Sequence, residues 1–69
     1  MTISEQIKIL CFRCGISEAE LARRLGKSPQ SLNSQMKRES FTVKELDRIA
    51  FVLGATFKRN FILANGEKI

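Results

Sequence analysis

The run Leu21-Ala22-Arg23-Arg24-Leu25-Gly26-Lys27-Ser28-Pro29-Gln30-Ser31-Leu32 leaves the backbone few alternatives. Gly26 stops one helical segment, since glycine readily takes the left-handed conformation that ends a helix. Ser28 followed by Pro29 opens another, with a hydroxyl cap and a ring that presets the first helical residue. Only Lys27 separates the two signals, so the spacing predicts two helices joined by a very short polar turn. That is a helix-turn-helix, the arrangement that lays its second helix in the DNA major groove. Charge agrees with it. From Leu21 to Arg38 there are the basic residues Arg23, Arg24, Lys27, Lys37 and Arg38 and no acid, against a net charge of +5 for the whole chain.

At 69 residues the chain has room for one small core, predicted as a single domain over 1–69. The basic balance points to an anionic partner, nucleic acid before membrane. No apolar run is long enough to span a bilayer. The N-terminus shows no basic region ahead of an apolar stretch, so a cytoplasmic location is expected. With no histidine, no tyrosine, no glycine-rich phosphate loop and no paired carboxylates, the chain is not expected to be an enzyme. No cofactor, metal or small-molecule ligand is expected either.

Local signals predict four helices, at about 3–14, 18–25, 29–37 and 43–53. Thr2…Glu5, Ser17…Glu20 and Thr42…Glu45 each fit a capping box, a hydroxyl cap with a carboxylate three residues on. Ile3, Ile7, Leu10 and Cys14 make an inward stripe on the first helix, with Cys11 on its flank and Ile9 and Phe12 on the far side. Leu21, Ala22 and Leu25 face inward on the second helix, Leu32 and Met36 on the third. Val43, Leu46, Ile49, Ala50 and Leu53 do so on the fourth.

After Gly54 the pattern changes. Residues 56–63 are rich in β-formers, and Ala64-Asn65-Gly66-Glu67 is an Asn-Gly turn signal, so a β-hairpin is predicted over about 56–69. A two-residue turn would pair Leu63 with Lys68 and Ile62 with Ile69. Thr56–Phe61 would then be an open edge that seeks a second strand. The expected solution is a homodimer, with this strand paired antiparallel across a two-fold axis and Phe57, Arg59 and Phe61 at the interface. Phe57, Phe61 and Leu63 would share one face and cover Ile9 and Phe12. The other reading is a tail that packs on its own monomer.

Cys11-Phe12-Arg13-Cys14 is formally a C-x-x-C motif. Two thiolates are too few for a structural zinc site, and the βαβ context of a redox pair is absent. Packing of both as small core residues is expected, ahead of a redox switch or a metal shared between subunits.

From Ile7 to Gly54 the chain resembles the phage-repressor-like (Cro-type, lambda-repressor-like) helix-turn-helix regulators. The residues that carry the likeness are Gly15-Ile16-Ser17, Leu21-Ala22, Gly26, Leu32 and Leu46…Ala50-Phe51-Val52-Leu53-Gly54. The chain departs from them in four places. Lys27 and Gln35 stand where buried aliphatics are usual, Met36 taking over the packing of the latter. Glu18 replaces a glutamine that contacts phosphate in many relatives, and the predicted hairpin replaces a fifth helix.

The resemblance implies a mainly α, four-helix domain and a transcriptional regulator, a repressor that binds double-stranded DNA at a two-fold symmetric operator. It implicates Gln30, Ser31, Asn33, Ser34 and Lys37 in reading bases. Gln and Asn can present a paired donor and acceptor to adenine, and Ser can serve base or phosphate. Lys27, Ser28, Arg38 and Ser40, around the recognition helix, are expected on phosphates, with Lys37 as an alternative member of that set. Arg23 and Arg24 are open between phosphate contact and pairing with Glu20. A protein-interaction module, such as an antitoxin or phage-associated adaptor with only non-specific DNA affinity, is the competing function.

Overall fold

A hydroxyl residue starts every helix. In the computed structural model, which describes all 69 residues, the helices are α1 (Ile3–Cys14), α2 (Glu18–Leu25), α3 (Pro29–Arg38) and α4 (Val43–Val52). Thr2, Ser17, Ser28 and Thr42 keep extended backbone and accept the amide of the residue three positions on. Glu5 and Glu45 answer in kind, so Thr2 and Thr42 head complete capping boxes. The box expected at Ser17 forms only by half. Ser17 Oγ accepts from Glu20 N at 3.1 Å, but the Glu20 carboxylate turns to Arg23 at 2.5 and 2.8 Å and Arg24 at 3.0 Å. Three charge-assisted bonds outcompete one backbone amide.

Glycines at φ 70° and 75° end α1 and α2, and their amides cap the last carbonyls. The end of α3 has no glycine. Glu39 adopts the left-handed conformation there, at φ 54°, at a cost of roughly 1–2 kcal/mol for a residue with a Cβ. Its side chain offsets that cost. The carboxylate accepts the Ser4 amide at 3.1 Å at the open start of α1, while Ser4 Oγ donates to the Met36 carbonyl at 2.5 Å near the end of α3. The start of α1 is thus tied to the end of α3.

At the centre lies α2, which touches the other three helices. Leu21 and Ala22 are completely buried, enclosed by Ile7 and Cys11 of α1, Leu32 and Met36 of α3 and Ile49 of α4. The inward face of α1 is rotated from the predicted stripe. Ser4, Ile7 and Cys11 are buried, Ile3 and Leu10 lie at the margin, and Cys14 is exposed. Ser4 is the reason: a polar residue drawn inward by hydrogen bonds is invisible to apolar periodicity. Val43 also departs from expectation, being 48% exposed beside Phe61 and Ile69 rather than in the core.

No β-strand forms beyond α4, so the hairpin part of the expected fold is corrected. One isolated antiparallel bridge joins Ile62 to Lys68, and Phe61 and Ile69 exchange backbone hydrogen bonds of 2.9 and 2.8 Å. This pairing is one residue away from the predicted register. A two-residue turn would need positive φ at both Asn65 and Gly66, but only Gly66 has it, at 87°. Asn65 Oδ1 instead accepts the Glu67 amide at 2.9 Å, and Gly66 N donates to the Leu63 carbonyl at 2.9 Å, closing a longer turn.

Because Thr56–Phe61 is not a strand, the predicted strand-to-strand dimer loses its basis. The aromatic cover also differs. Phe57 sits half-buried over a groove between α1 and α4 that includes Ile3, Leu10, Leu46 and Ile49. Phe61 and Leu63 are exposed, and so are Ile9 and Phe12. The radius of gyration is 13.4 Å, against roughly 11 Å for a close-packed chain of this length, as a projecting C-terminal segment requires.

Candidate nucleic-acid interface

At 100° per residue, Leu32 and Met36 put one side of α3 into the core. Gln30, Ser31, Asn33, Ser34, Lys37 and Arg38 then fan over an arc of about 160° on the other side. All six are exposed. The side chains of Gln30, Asn33, Ser34, Lys37 and Arg38 form no hydrogen bond or salt bridge within the chain, so their donors and acceptors face solvent. The helix carries no acid, and its two basic residues lie in its last turn.

The flanking residues divide into two groups. Ser28 Oγ is occupied as acceptor for the Ser31 amide at 3.1 Å, with its own proton still available to donate. Ser40 gives its amide to the Gln35 carbonyl at 3.1 Å and accepts Gln35 Nε2 at 3.2 Å, leaving only its hydroxyl. Lys27 is held beneath α3, where its ammonium donates to Gln35 Oε1 and lies 3.3 Å from Glu45. Arg23 and Arg24 are paired with Glu20, the second of the two readings open for them. Of the cations around the motif, Lys37 and Arg38 therefore remain unpaired. Glu18 is half-buried and borders a groove with Gln30 and Asn33, which sets a carboxylate at one edge of the polar face.

Neighbouring groups shape the acids. The Arg23 and Arg24 guanidinium groups hold the Glu20 carboxyl down at about 2. The Thr42 amide, followed by Gln35 and the Thr42 hydroxyl, does the same for Glu45, also at about 2. Burial pushes the Cys11 thiol up, which disfavours the reactive thiolate. Cys14, the exposed one, has its sulfur 3.8 Å from the Leu53 carbonyl. This reverses the burial order expected for the pair.

The residues expected at a dimer interface are scattered. Phe57 packs on its own chain, Arg59 pairs with Asp47 at 2.8 Å, and Phe61 is 81% exposed. Sequence reasoning missed the side-chain linkage of Lys27, Gln35 and Glu45. Its signal was present: Lys27 and Gln35 both stand at positions where an aliphatic is expected, and two polar intruders on one inner surface imply a common partner.

Over 66 residues, 96% of this chain, the sequence is 35% identical to the Repressor protein CI of Enterobacteria phage phi80. The match covers all four helices and the turn between α2 and α3. Over nearly its whole length the chain resembles a phage repressor. It spans 27% of the length of that relative. No protein-family model matches the chain, and no solved structure does. In this four-helix domain, α2 and α3 have the helix-turn-helix arrangement, and α3 presents the outward polar face. No helix is long and apolar enough to cross a membrane.

Proposed function

We propose that the chain is a sequence-specific, double-stranded DNA-binding repressor domain, active in the cytoplasm, with α3 as the reading helix. The supporting observation is the outward face of α3: Gln30, Ser31, Asn33 and Ser34 unencumbered on one side, Leu32 and Met36 anchoring the other. Gln30 and Asn33, one turn apart, present paired donors and acceptors to base edges, and Ser31 and Ser34 complete the readout. Lys37 and Arg38 hold backbone phosphates, with the Ser28 and Ser40 hydroxyls beside them. Those contacts set the pose without reading sequence. Likeness to a protein named as a repressor favours repression.

A dimer on a two-fold operator fits this reading, held by side chains instead of paired strands. Val43, Phe61 and Ile69 border one exposed groove and are the apolar groups offered for it. The test is binding of the purified chain to the DNA upstream of its own gene against a random duplex, over a series of salt concentrations. The expected result is a preference of about a thousandfold or more at physiological salt, with affinity falling steeply as salt rises. Equal binding to both duplexes, with tight binding to a protein partner, would establish the interaction module instead.

A further inference from the structure

We infer that Lys27, Gln35 and Glu45 act together as positioning residues, a polar clamp that sets the rotation of α3 about its own axis and hence which side chains meet the bases. The inference rests on the reading of α3 as the DNA-contacting helix. The helix lies closest to α2, also touches α1, and meets α4 only through side chains. Its apolar anchors are Leu32 and Met36 alone. Two apolar contacts hold a helix against a core, yet they are non-directional and leave its rotation loosely defined. A turn of about 20° would move a side-chain tip, roughly 6 Å from the axis, by about 2 Å. That displacement exceeds what a hydrogen bond to a base edge tolerates.

Gln35 lies on the flank of α3 and supplies the missing directionality. Its Nε2 donates both protons, one to Glu45 Oε2 at 2.6 Å and one to the Ser40 carbonyl at 3.2 Å, while its Oε1 accepts from Lys27 Nζ. One side chain thus ties the turn before α3, the loop after it and the first turn of α4. Glu45 is itself fixed, because its other carboxylate oxygen accepts the Thr42 amide at 3.0 Å. The clamp is half-buried and Gln35 lies outside the exposed arc of α3, tied to its own chain, so it acts through the helix and not by touching DNA. It also gives the two polar departures from the family pattern, Lys27 and Gln35, a single purpose.

The test uses the full chain with two separate substitutions, Gln35→Leu and Lys27→Met, which keep bulk and leave the α4 capping box intact. In the free protein, amide hydrogen exchange should speed about tenfold along α3 in each variant while α1 and α2 stay protected. With DNA, Gln35→Leu should lower the preference for the favoured duplex over a random one about tenfold, with affinity for random DNA and the salt slope unchanged. Unchanged exchange in α3 in both variants overturns the clamp. So does a loss of affinity by Lys27→Met that is equal on both duplexes and lowers the salt slope by about one, which would make Lys27 a phosphate contact. Uniform loss of protection in every helix would mean a purely structural role and overturn it too. If the unmutated chain itself prefers no duplex, the DNA reading fails, while hydrogen exchange still decides whether the clamp holds α3.

Discussion

Residues 2–54 and residues 55–69 are held by different means. In the first region each helix has a side-chain cap, and the helices meet on completely buried Leu21 and Ala22. In the second, every residue after Phe57 is exposed. Its order comes from a few backbone bonds around Gly66 and from Arg59 pairing with Asp47. Local hydrogen bonding is present in both; buried apolar surface is concentrated in the first. The difference teaches that a turn signal and a run of β-formers do not make a sheet without a surface to pack on.

Five measurements test that contrast. Leu21→Ala should have the largest effect, about 2–5 kcal/mol. The total stability expected for a domain of this size is only roughly 3–10 kcal/mol. Thermal melts followed by circular dichroism should show most of the cooperative transition lost; a melt within a few degrees of the parent would mean that α2 is not the centre of the core.

Acid follows, acting on two carboxylates in the helical region. Glu20 and Glu45 are each held at about 2 against an ordinary value of 4.5. A carboxyl with a depressed folded value contributes stability that is present above 4.5 and lost as pH falls toward about 2. Melting temperature should therefore drop across that window, and a flat profile there would contradict the ion pairs and caps described. Thr42→Ala should cost about 1 kcal/mol, or roughly 4–8 °C, by opening a complete box. Ser17→Ala, at the half-formed box, should cost less. The smallest effect belongs to deletion of residues 60–69, which should move the melting temperature by less than about 4 °C. A larger drop would show that the C-terminal segment supports the core after all.

Much of the helical region was legible because its signals are local. Thr2, Thr42, Gly15 and Gly26 announce helix ends through their own chemistry, and Leu32 and Met36 show the inner side of α3 by spacing alone. Where the reading failed, a polar side chain had found a partner that apolar spacing and cap motifs do not show. Glu20 was diverted from its box by Arg23 and Arg24. Ser4 was drawn inward by Met36 and Glu39, which rotated α1 and exchanged the burial of Cys11 and Cys14. Asn65 kept negative φ because its side chain found the Glu67 amide, which shifted the predicted register. At the interface, the exposed row on α3 could be read from helical spacing, whereas the engagement of Lys27 beneath it depends on Glu45, eighteen residues away.

The central claim is that the outer face of α3 reads bases, and Asn33→Ala tests it most directly. Affinity should be measured for the favoured duplex and a random one at the same salt concentration. A loss of about 1–3 kcal/mol on the favoured duplex, roughly 5- to 150-fold, is expected, with random DNA unaffected. An equal loss on both duplexes, or none on either, would contradict it.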